Sequence, residues 1–198
     1  TQTIFADDAL EILEKKAASE TTQPLFLWLA FTAPHSRFGP NPKPYDGMYD
    51  NKSAEDLSPA SFHYDEFLKK DDDEKWQGYY EAISAMDAEV GRLMKTIRNS
   101  SLSTNTLVVF IGDNGFMMGE RNMTGKYVPY EGSLRVPMIA WGPESIVGAK
   151  GTTVTASANS VDLPPTFVKL AGAEPPQQWV GRDLTPVFKD GRPHDITW

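Results

Sequence analysis

Cysteine is absent from the 198-residue sequence, and positive charge is scarce, with 19 Lys and Arg against 27 Asp and Glu. Without cysteine, these residues hold no disulfide, no zinc-thiolate site and no cysteine nucleophile. No apolar run approaches the roughly 18 residues that a membrane-spanning helix needs. The net charge of -8 argues against a nucleic-acid partner. The net charge does not exclude an anionic substrate, because a local cation or a bound metal ion can make the electrostatic potential positive at one site.

Apolar residues make up 40% of the chain, enough to bury a core, and their spacing predicts alternating helices and strands. A helix is expected over Asp7 to Ser19, with one of the two aspartates Asp7-Asp8 as its N-cap. Leu25–Phe31 is typical of a strand buried on both faces of a parallel sheet. A long amphipathic helix over Tyr79 to Ile97 and a second strand over Thr106 to Ile111 follow. This alternation predicts an α/β fold.

The last part of the chain predicts one more strand and one more helix. Val136–Trp141 fits a third strand, and Asp162 is expected to cap a helix that ends near Gly172. Residues 174–198 are rich in Pro and Gly and are predicted to be irregular. His63 and His194 match no motif, and we expect both at the surface.

His35 lies in the segment Ala33-Pro34-His35-Ser36, directly after the first predicted strand. In open α/β sheets, ligands bind outside the carboxyl ends of strands. A histidine there can bind an anion, ligate a metal or transfer a proton. The alternative is a histidine whose hydrogen bonds only hold the loop.

Asp113 and Asn114 lie in the segment Gly112-Asp113-Asn114-Gly115, at the end of the second predicted strand. Carboxylate and amide oxygens are hard ligands that suit calcium or magnesium. Asn-Gly is also the strongest signal of a two-residue hairpin turn. The residues that follow, 116–119, do not alternate like a returning strand, so a metal site and a turn stay equal alternatives.

Lys126 follows a glycine in a third segment, residues 125–137. A lysine in such a loop can hold an anion as a point charge. The alternative is an ordinary surface lysine. Glu131 and Arg135 are four residues apart and can pair on a short helix.

In this order, these segments resemble the formylglycine-dependent sulfatases of the alkaline phosphatase-like superfamily. The ordered set is specific, although no single member of it is. The resemblance covers most of the chain, with these segments: Phe5–Ala9, Ala33–His35, Pro42–Tyr49, Tyr79-Tyr80, Asp87, Val90–Arg92, Asp113–Phe116, Gly119-Glu120, Lys126, Glu131–Pro137, Val161–Thr166 and Leu170–Gly172.

The resemblance implies a hydrolase of sulfated carbohydrates or aryl sulfates, on a mixed, mainly parallel sheet flanked by helices. It implies that Asp113 and Asn114 complete a calcium site, that His35 contacts the sulfate group and that Lys126 binds a sulfate oxygen. Arg121 stands where many relatives carry a histidine after the glutamate, and we expect it to face the substrate. Calcium and these cations would stabilise charge that develops on sulfate oxygens.

The chain also departs from the family pattern. The family nucleophile, a formylglycine, forms inside a Cys/Ser-X-Pro-X-Arg motif, and the sequence contains no such segment. Asp7-Asp8 is similar to the family's metal-binding aspartate pair, but N-capping explains it better. We therefore interpret residues 1–198 as one partial catalytic domain, its C-terminal part. The nucleophile and the N-terminal half are expected outside it, and the chain alone is expected to be inactive.

Two other functions remain open. One is hydrolysis of phosphate or phosphonate esters by a member of the same superfamily, although Asn114 and Lys126 favour sulfate. The other is a non-catalytic fragment that binds an anion or a glycan. We expect a periplasmic, secreted or lysosomal location for either enzyme. The net charge and the lack of a long apolar run predict no nucleic-acid partner and no membrane span.

Overall fold

The computed structural model describes residues 2–35, 38–58 and 71–190. Two of the surface histidines expected from the sequence, His63 and His194, lie outside these ranges. The chain forms two compact units. The first comprises residues 1–100 and 114–135, and the second comprises residues 101–113 and 136–198.

Short helices and strands alternate along the described residues. The α-helices are α1 (Gln2–Ala18), α2 (Ala54–Leu57), α3 (Asp71–Arg98), α4 (Glu131–Leu134), α5 (Glu144–Val147), α6 (Leu163–Leu170) and α7 (Thr185–Asp190). The strands are β1 (Val108–Ile111), β2 (Met117–Met118), β3 (Thr124–Gly125) and β4 (Met138–Trp141). None of the helices described here has both the length and the hydropathy that crossing a bilayer requires.

Helix α1 packs on α3 in the first unit. Its buried residues, Ala6, Ala9 and Leu13, recur at helical spacing, and the two alanines let the helix backbones approach closely. Because α1 begins at Gln2, the expected N-cap role of Asp7-Asp8 is wrong. Both aspartates lie inside the helix, and an Asp7 carboxylate oxygen is 2.7 Å from the Arg92 guanidinium instead.

Helix α3 confirms the predicted amphipathic helix and extends it toward the N-terminus. Met86, Leu93 and Ile97 of the predicted apolar face are buried. The helix begins well before Tyr79, and Trp76, which is 3% exposed, adds an aromatic residue to the buried side.

The second unit is built on β1 and β4, which pair antiparallel with Phe110 opposite Ile139. The strands predicted over 106–111 and 136–141 are therefore confirmed, each slightly shorter than expected. The core of this unit consists of Leu163 from α6 with Leu184 and Val187 from the C-terminal part. Partly buried residues of β1 and β4 pack against it.

The α/β class is confirmed, but two expectations about strands are not. Both described ladders, β1–β4 and β2–β3, are antiparallel, so the parallel pairing is not found among the described strands. The predicted strand Leu25–Phe31 lies outside both sheets, and Phe26 and Trp28 are 69% and 72% exposed. An apolar run indicates a tendency to be buried, but it does not specify which strand pairs with it.

Helix α6 begins and ends where the sequence indicates. Asp162 stands at the N-cap and Gly172, with φ of 80°, lies just past the end. The Asp162 carboxylate does not cap α6, however, but accepts hydrogen bonds from the backbone N–H groups of Asn159 and Arg182. The segment predicted to be irregular contains helix α7, because Leu184 and Val187 are apolar enough to join the core.

Candidate active site

His35 lies in a turn at the end of the exposed apolar run. Its backbone N–H donates to the carbonyl of Thr32 at 2.9 Å, and the residue is exposed. A histidine side chain in this position is open to an anion or a proton acceptor.

Asp113 and Asn114 are consecutive, exposed residues that follow β1. The hairpin alternative for Asn114-Gly115 is wrong, since β1 pairs with β4 and β2 pairs with β3. The Asn114 side-chain amide instead donates to the carbonyl of Gly115 at 2.7 Å, which directs its oxygen the other way. The metal-ligand alternative for these two residues therefore stays a prediction.

Gly115 and Gly132 hold two site segments together in the first unit. The backbone N–H of Gly115 donates to the carbonyl of Ser133 at 2.9 Å. A Cβ on Gly115 would lie 2.2 Å from the Gly132 carbonyl oxygen, and a Cβ on Gly132 would lie 2.8 Å from the Met117 sulfur. At Gly115 only glycine permits this approach, because the atom it meets belongs to the backbone.

Lys126 is partly buried and contacts Asn114 directly. Its ammonium lies 3.5 Å from the Asn114 side-chain oxygen, at the outer limit of a hydrogen bond. The same ammonium lies 5.9 Å from the centre of the Tyr127 ring. The structure thus brings together two of the predicted site residues, which are twelve positions apart in the chain.

Arg121 lies on the segment between Asn114 and Lys126. Its guanidinium carbon is 4.7 Å from the centre of the Tyr130 ring, a cation–π contact. Its backbone has φ of 56°, in the left-handed region. Next to it, the Glu120 carboxylate accepts a 2.6 Å hydrogen bond from the backbone N–H of Met118. Arg121 is exposed, so its charge is available to an anion.

The donors of Asp113 and Asn114 fit part of a divalent-cation site. A carboxylate and an amide oxygen are the hard ligands that calcium prefers, but calcium takes six to eight of them. No group of three or more His, Asp or Glu that could hold a metal ion is found in the part of the chain that the structure describes. These residues therefore supply at most a fraction of such a site.

The cavity on the surface of the first unit does not suit an anionic substrate. It measures about 240 Å³ and lies between α3 and residues 38–50. Its lining includes four carboxylates and one lysine: Asp46, Asp50, Glu74, Glu81 and Lys43. That balance of charge disfavours the binding of a sulfate ester in this cavity.

Sequence reasoning missed several residues of this region. Gly132 was noted only as part of a motif, and the close approach to Gly115 has no signal in a single sequence. Tyr130 was also noted only as part of a motif, and Tyr127, whose ring lies next to Lys126, went unnoticed. The neighbouring residues Lys126 and Tyr127, and the nearby Arg121 and Tyr130, could have suggested cation–π pairs. The sequence does not give the geometry of such pairs.

Known proteins resemble this chain in sequence and in fold. The sulfatase family profile matches residues 2–173. The ulvan-active sulfatase of Formosa agariphila is 33% identical over 96% of this chain and 36% of its own length. The yidJ protein of Bacteroides fragilis superposes with a TM-score of 0.84 at 27% identity, over 98% of this chain and 42% of that one.

A fold likeness extends beyond sulfatases. A phosphonate monoester hydrolase of Agrobacterium radiobacter superposes with a TM-score of 0.79 at 24% identity, over 98% of this chain and 43% of that one. The chain spans well under half the length of these relatives, 36% of the Formosa sulfatase and 42% of yidJ. The family profile nevertheless covers most of the chain. The chain therefore belongs to the sulfatase family and has the α/β fold of the alkaline phosphatase-like superfamily.

Proposed function

We propose that the full-length protein containing these residues hydrolyses sulfate esters of sulfated carbohydrates or aryl alcohols. The contact between Lys126 and Asn114 carries the proposal, because it brings a cation and a hard oxygen donor together in a sulfatase-family chain. The proposal includes a periplasmic, secreted or lysosomal location, which cell fractionation with an antibody to this chain would check.

Lys126 would bind a non-bridging sulfate oxygen. Its partial burial and its contact with Asn114 reduce the number of positions that the ammonium samples, so the charge is held before the substrate arrives. Negative charge that moves onto the sulfate oxygens in the transition state is stabilised more than charge in the ground state. His35 would contact the sulfate group and, when protonated, donate a proton toward the leaving oxygen.

Asp113 and Asn114 would hold one side of a divalent cation, for which we propose calcium. A bound cation of this kind supplies positive charge next to the sulfate oxygens. The nucleophile, a formylglycine in the family pattern, would come from outside residues 1–198. Arg121, exposed and held against Tyr130, would contact a further part of the substrate.

The role of Lys126 is tested by the Lys126→Ala variant of the full-length protein. We expect kcat/KM for 4-nitrophenyl sulfate to fall by the equivalent of about 2 to 3 kcal/mol of transition-state stabilisation. The matched control is Lys150→Ala, because Lys150 is an exposed lysine in the second unit. Equal rates in both variants would remove Lys126 from the mechanism.

The metal role is tested separately, by titrating calcium into the full-length protein in a calorimeter. We expect Asp113→Ala to weaken calcium binding at least tenfold, since a carboxylate ligand and its charge are lost. Glu144→Ala, which removes an exposed carboxylate on α5, is the control. Unaltered calcium affinity in Asp113→Ala would contradict the assignment.

A further inference from the structure

Tyr127 combines two properties that rarely occur together. The residue is 93% exposed, and its backbone φ is 73°, in the left-handed region. Among the described residues, the non-glycine positions with positive φ are Arg121, Asn122 and Tyr127. All three lie on the segment that carries Lys126, so the unusual backbone is concentrated around the candidate site.

An aromatic residue is a poor choice for this backbone conformation. A bulky side chain with positive φ is a steric outlier, and glycine adopts the same conformation without strain. Gly125, with φ of 103°, uses that freedom on the other side of Lys126. The exposed Tyr127 ring gains little packing energy that would offset the strain. Strain without such compensation points to a role in binding.

The position of the ring relative to Lys126 indicates what it binds. The Lys126 ammonium lies over the ring, 5.9 Å from its centre. With 93% of the residue exposed, the opposite face and the edges of the ring are open to solvent. A substrate whose sulfate group meets Lys126 carries its sugar or aryl ring within reach of this surface.

We propose that Tyr127 is a stacking platform for the sugar or aryl ring of the substrate. This inference rests on the proposed function and goes beyond it, because it makes Tyr127 the residue that distinguishes ring-bearing sulfate esters from linear alkyl sulfates. A tyrosine suits the role, since its ring offers a large, flat and amphipathic contact surface at a low cost in side-chain entropy. The left-handed backbone directs the ring into solvent rather than toward the core.

The test compares substrates with and without a ring, in the full-length protein and its Tyr127 variants. The substrates are 4-nitrophenyl sulfate, a sulfated monosaccharide and a short linear alkyl sulfate. In Tyr127→Ala we expect KM to rise about tenfold for both ring-bearing substrates, the lower end of what apolar contacts discriminate. KM for the alkyl sulfate stays within about twofold, and kcat changes little for all three. Tyr127→Phe restores the low KM.

Stability separates binding from a structural role. Tyr127→Gly and Tyr127→Ala both lose the ring, but glycine also relieves the backbone strain, so its variant melts at a higher temperature than the alanine variant. Under the proposal, the two variants have the same raised KM for ring-bearing substrates. If the glycine variant, which melts at the higher temperature, also has the lower KM for ring-bearing substrates, the platform is rejected. The exposed Ile4 on α1 provides the control variant Ile4→Ala.

Two further outcomes are decisive. If Tyr127→Ala impairs the alkyl sulfate as much as the ring-bearing substrates, the residue only positions Lys126 and the platform is rejected. If the wild type turns over no sulfate ester, the proposed function fails, and saturation-transfer NMR with 4-nitrophenyl sulfate then tests the platform alone. Transfer to the probe's ring protons that disappears in Tyr127→Ala supports the platform, and transfer that is absent or unchanged overturns it.

Discussion

Gly115 and Gly132 show how single residues determine the backbone of the candidate site. The Gly115 backbone passes so close to the Gly132 carbonyl that a methyl group does not fit between them. Gly115 directly follows Asn114, which has a proposed role in binding the cation. A substitution at Gly115 therefore changes the site through its backbone and not through a lost functional group.

Gly115→Ala is expected to reduce the free energy of unfolding by about 1 to 3 kcal/mol, because the added Cβ would lie 2.2 Å from a carbonyl oxygen. Urea denaturation followed by circular dichroism measures it. Gly91→Ala is the matched control, because a Cβ there meets no atom within 4 Å. In the middle of α3, that change is expected to stabilise the protein by about 0.5 to 1 kcal/mol.

Asp162 is a second residue with a large predicted effect. Its carboxylate is buried and accepts hydrogen bonds of 2.9 Å and 2.8 Å from the backbone N–H groups of Asn159 and Arg182. Asp162→Ala leaves both donors without this acceptor and is expected to cost about 3 kcal/mol in the free energy of unfolding. Asp162→Asn keeps one acceptor oxygen and is expected to cost roughly half as much.

The same urea titration tests this prediction. The exposed Glu144→Ala in the second unit is the control and is expected to change stability by no more than about 0.5 kcal/mol. If Asp162→Ala lowers the free energy of unfolding no more than the control does, water replaces the carboxylate as the acceptor. The structural role assigned to Asp162 would then be wrong.

Among the elements, α3 anchors the loop of residues 38–50. A Cβ on Gly78 would lie 1.9 Å from the Phe38 carbonyl oxygen, so the loop backbone rests directly on the helix. The buried Glu81 carboxylate accepts hydrogen bonds from the Gly47 backbone and the Asn41 side chain. The Phe38 ring meets Tyr79 edge-on, with ring centres 5.5 Å apart. Helix and loop are therefore one structural element.

The burial of Tyr79 predicts how this element responds to alkaline pH. Burial raises the pKa of Tyr79 above its usual value of 10.0, with smaller contributions from Tyr80 and Glu120. The native state thus holds the phenol proton more tightly than the unfolded chain does. This contribution to stability is complete below pH 10 and is lost as the pH rises through the native pKa.

The measurement is urea denaturation between pH 8 and about pH 11.5, with Tyr79→Phe as the comparison. The wild type is expected to lose more stability than Tyr79→Phe over the alkaline part of this range, because phenylalanine has no proton to release. Parallel slopes for the two proteins would mean that Tyr79 ionises as readily in the native state as in the unfolded chain.

Elements with strong periodicity were predictable from the sequence, and elements defined by distant partners were not. The face of Met86, Leu93 and Ile97 indicated α3 because helical spacing is a local property. The run Leu25–Phe31 was assigned wrongly because strand formation requires a second strand, which no local pattern supplies. Helix α7 was missed because its apolar residues are few and its first turn contains a proline.

The candidate site was partly predictable for the same reason. The types of residue that suit sulfate and hard cations are visible in the sequence, so Asn114 and Lys126 could be predicted as candidates, and the structure brings their side chains within 3.5 Å of each other. The backbone conformation of Tyr127 and the approach of Gly115 to Gly132 depend on φ angles and on tertiary contacts. Neither has a signal in composition or spacing.

At the scale of the whole molecule, the distribution of aromatic side chains is uneven. Trp76 is 3% exposed, whereas Trp28, in the run 25–31, is 72% exposed. A run of exposed large apolar side chains is unusual on a soluble surface and marks a region suited to contact with other protein. Because Trp28 is exposed, we expect it to contribute little to stability in the 198-residue chain.

Two tryptophan variants of the 198-residue chain test that distribution. Trp28→Lys is expected to change the free energy of unfolding by no more than about 0.5 kcal/mol and to lower aggregation, because it interrupts the exposed apolar run. Trp76→Ala is expected to cost about 3 to 5 kcal/mol. A large loss from Trp28→Lys would show that the run is buried in the isolated chain, contrary to the structure.

The central claim is that this sulfatase-family chain forms part of a sulfate ester hydrolase, and one comparison tests it most directly. It is the ratio of kcat/KM for 4-nitrophenyl sulfate to kcat/KM for 4-nitrophenyl phosphate and for a phenyl phosphonate monoester, measured with the full-length protein. The account predicts that the sulfate is the best of the three substrates. A higher kcat/KM for the phosphate or the phosphonate would contradict it and assign the protein to the phosphonate hydrolase side of the superfamily.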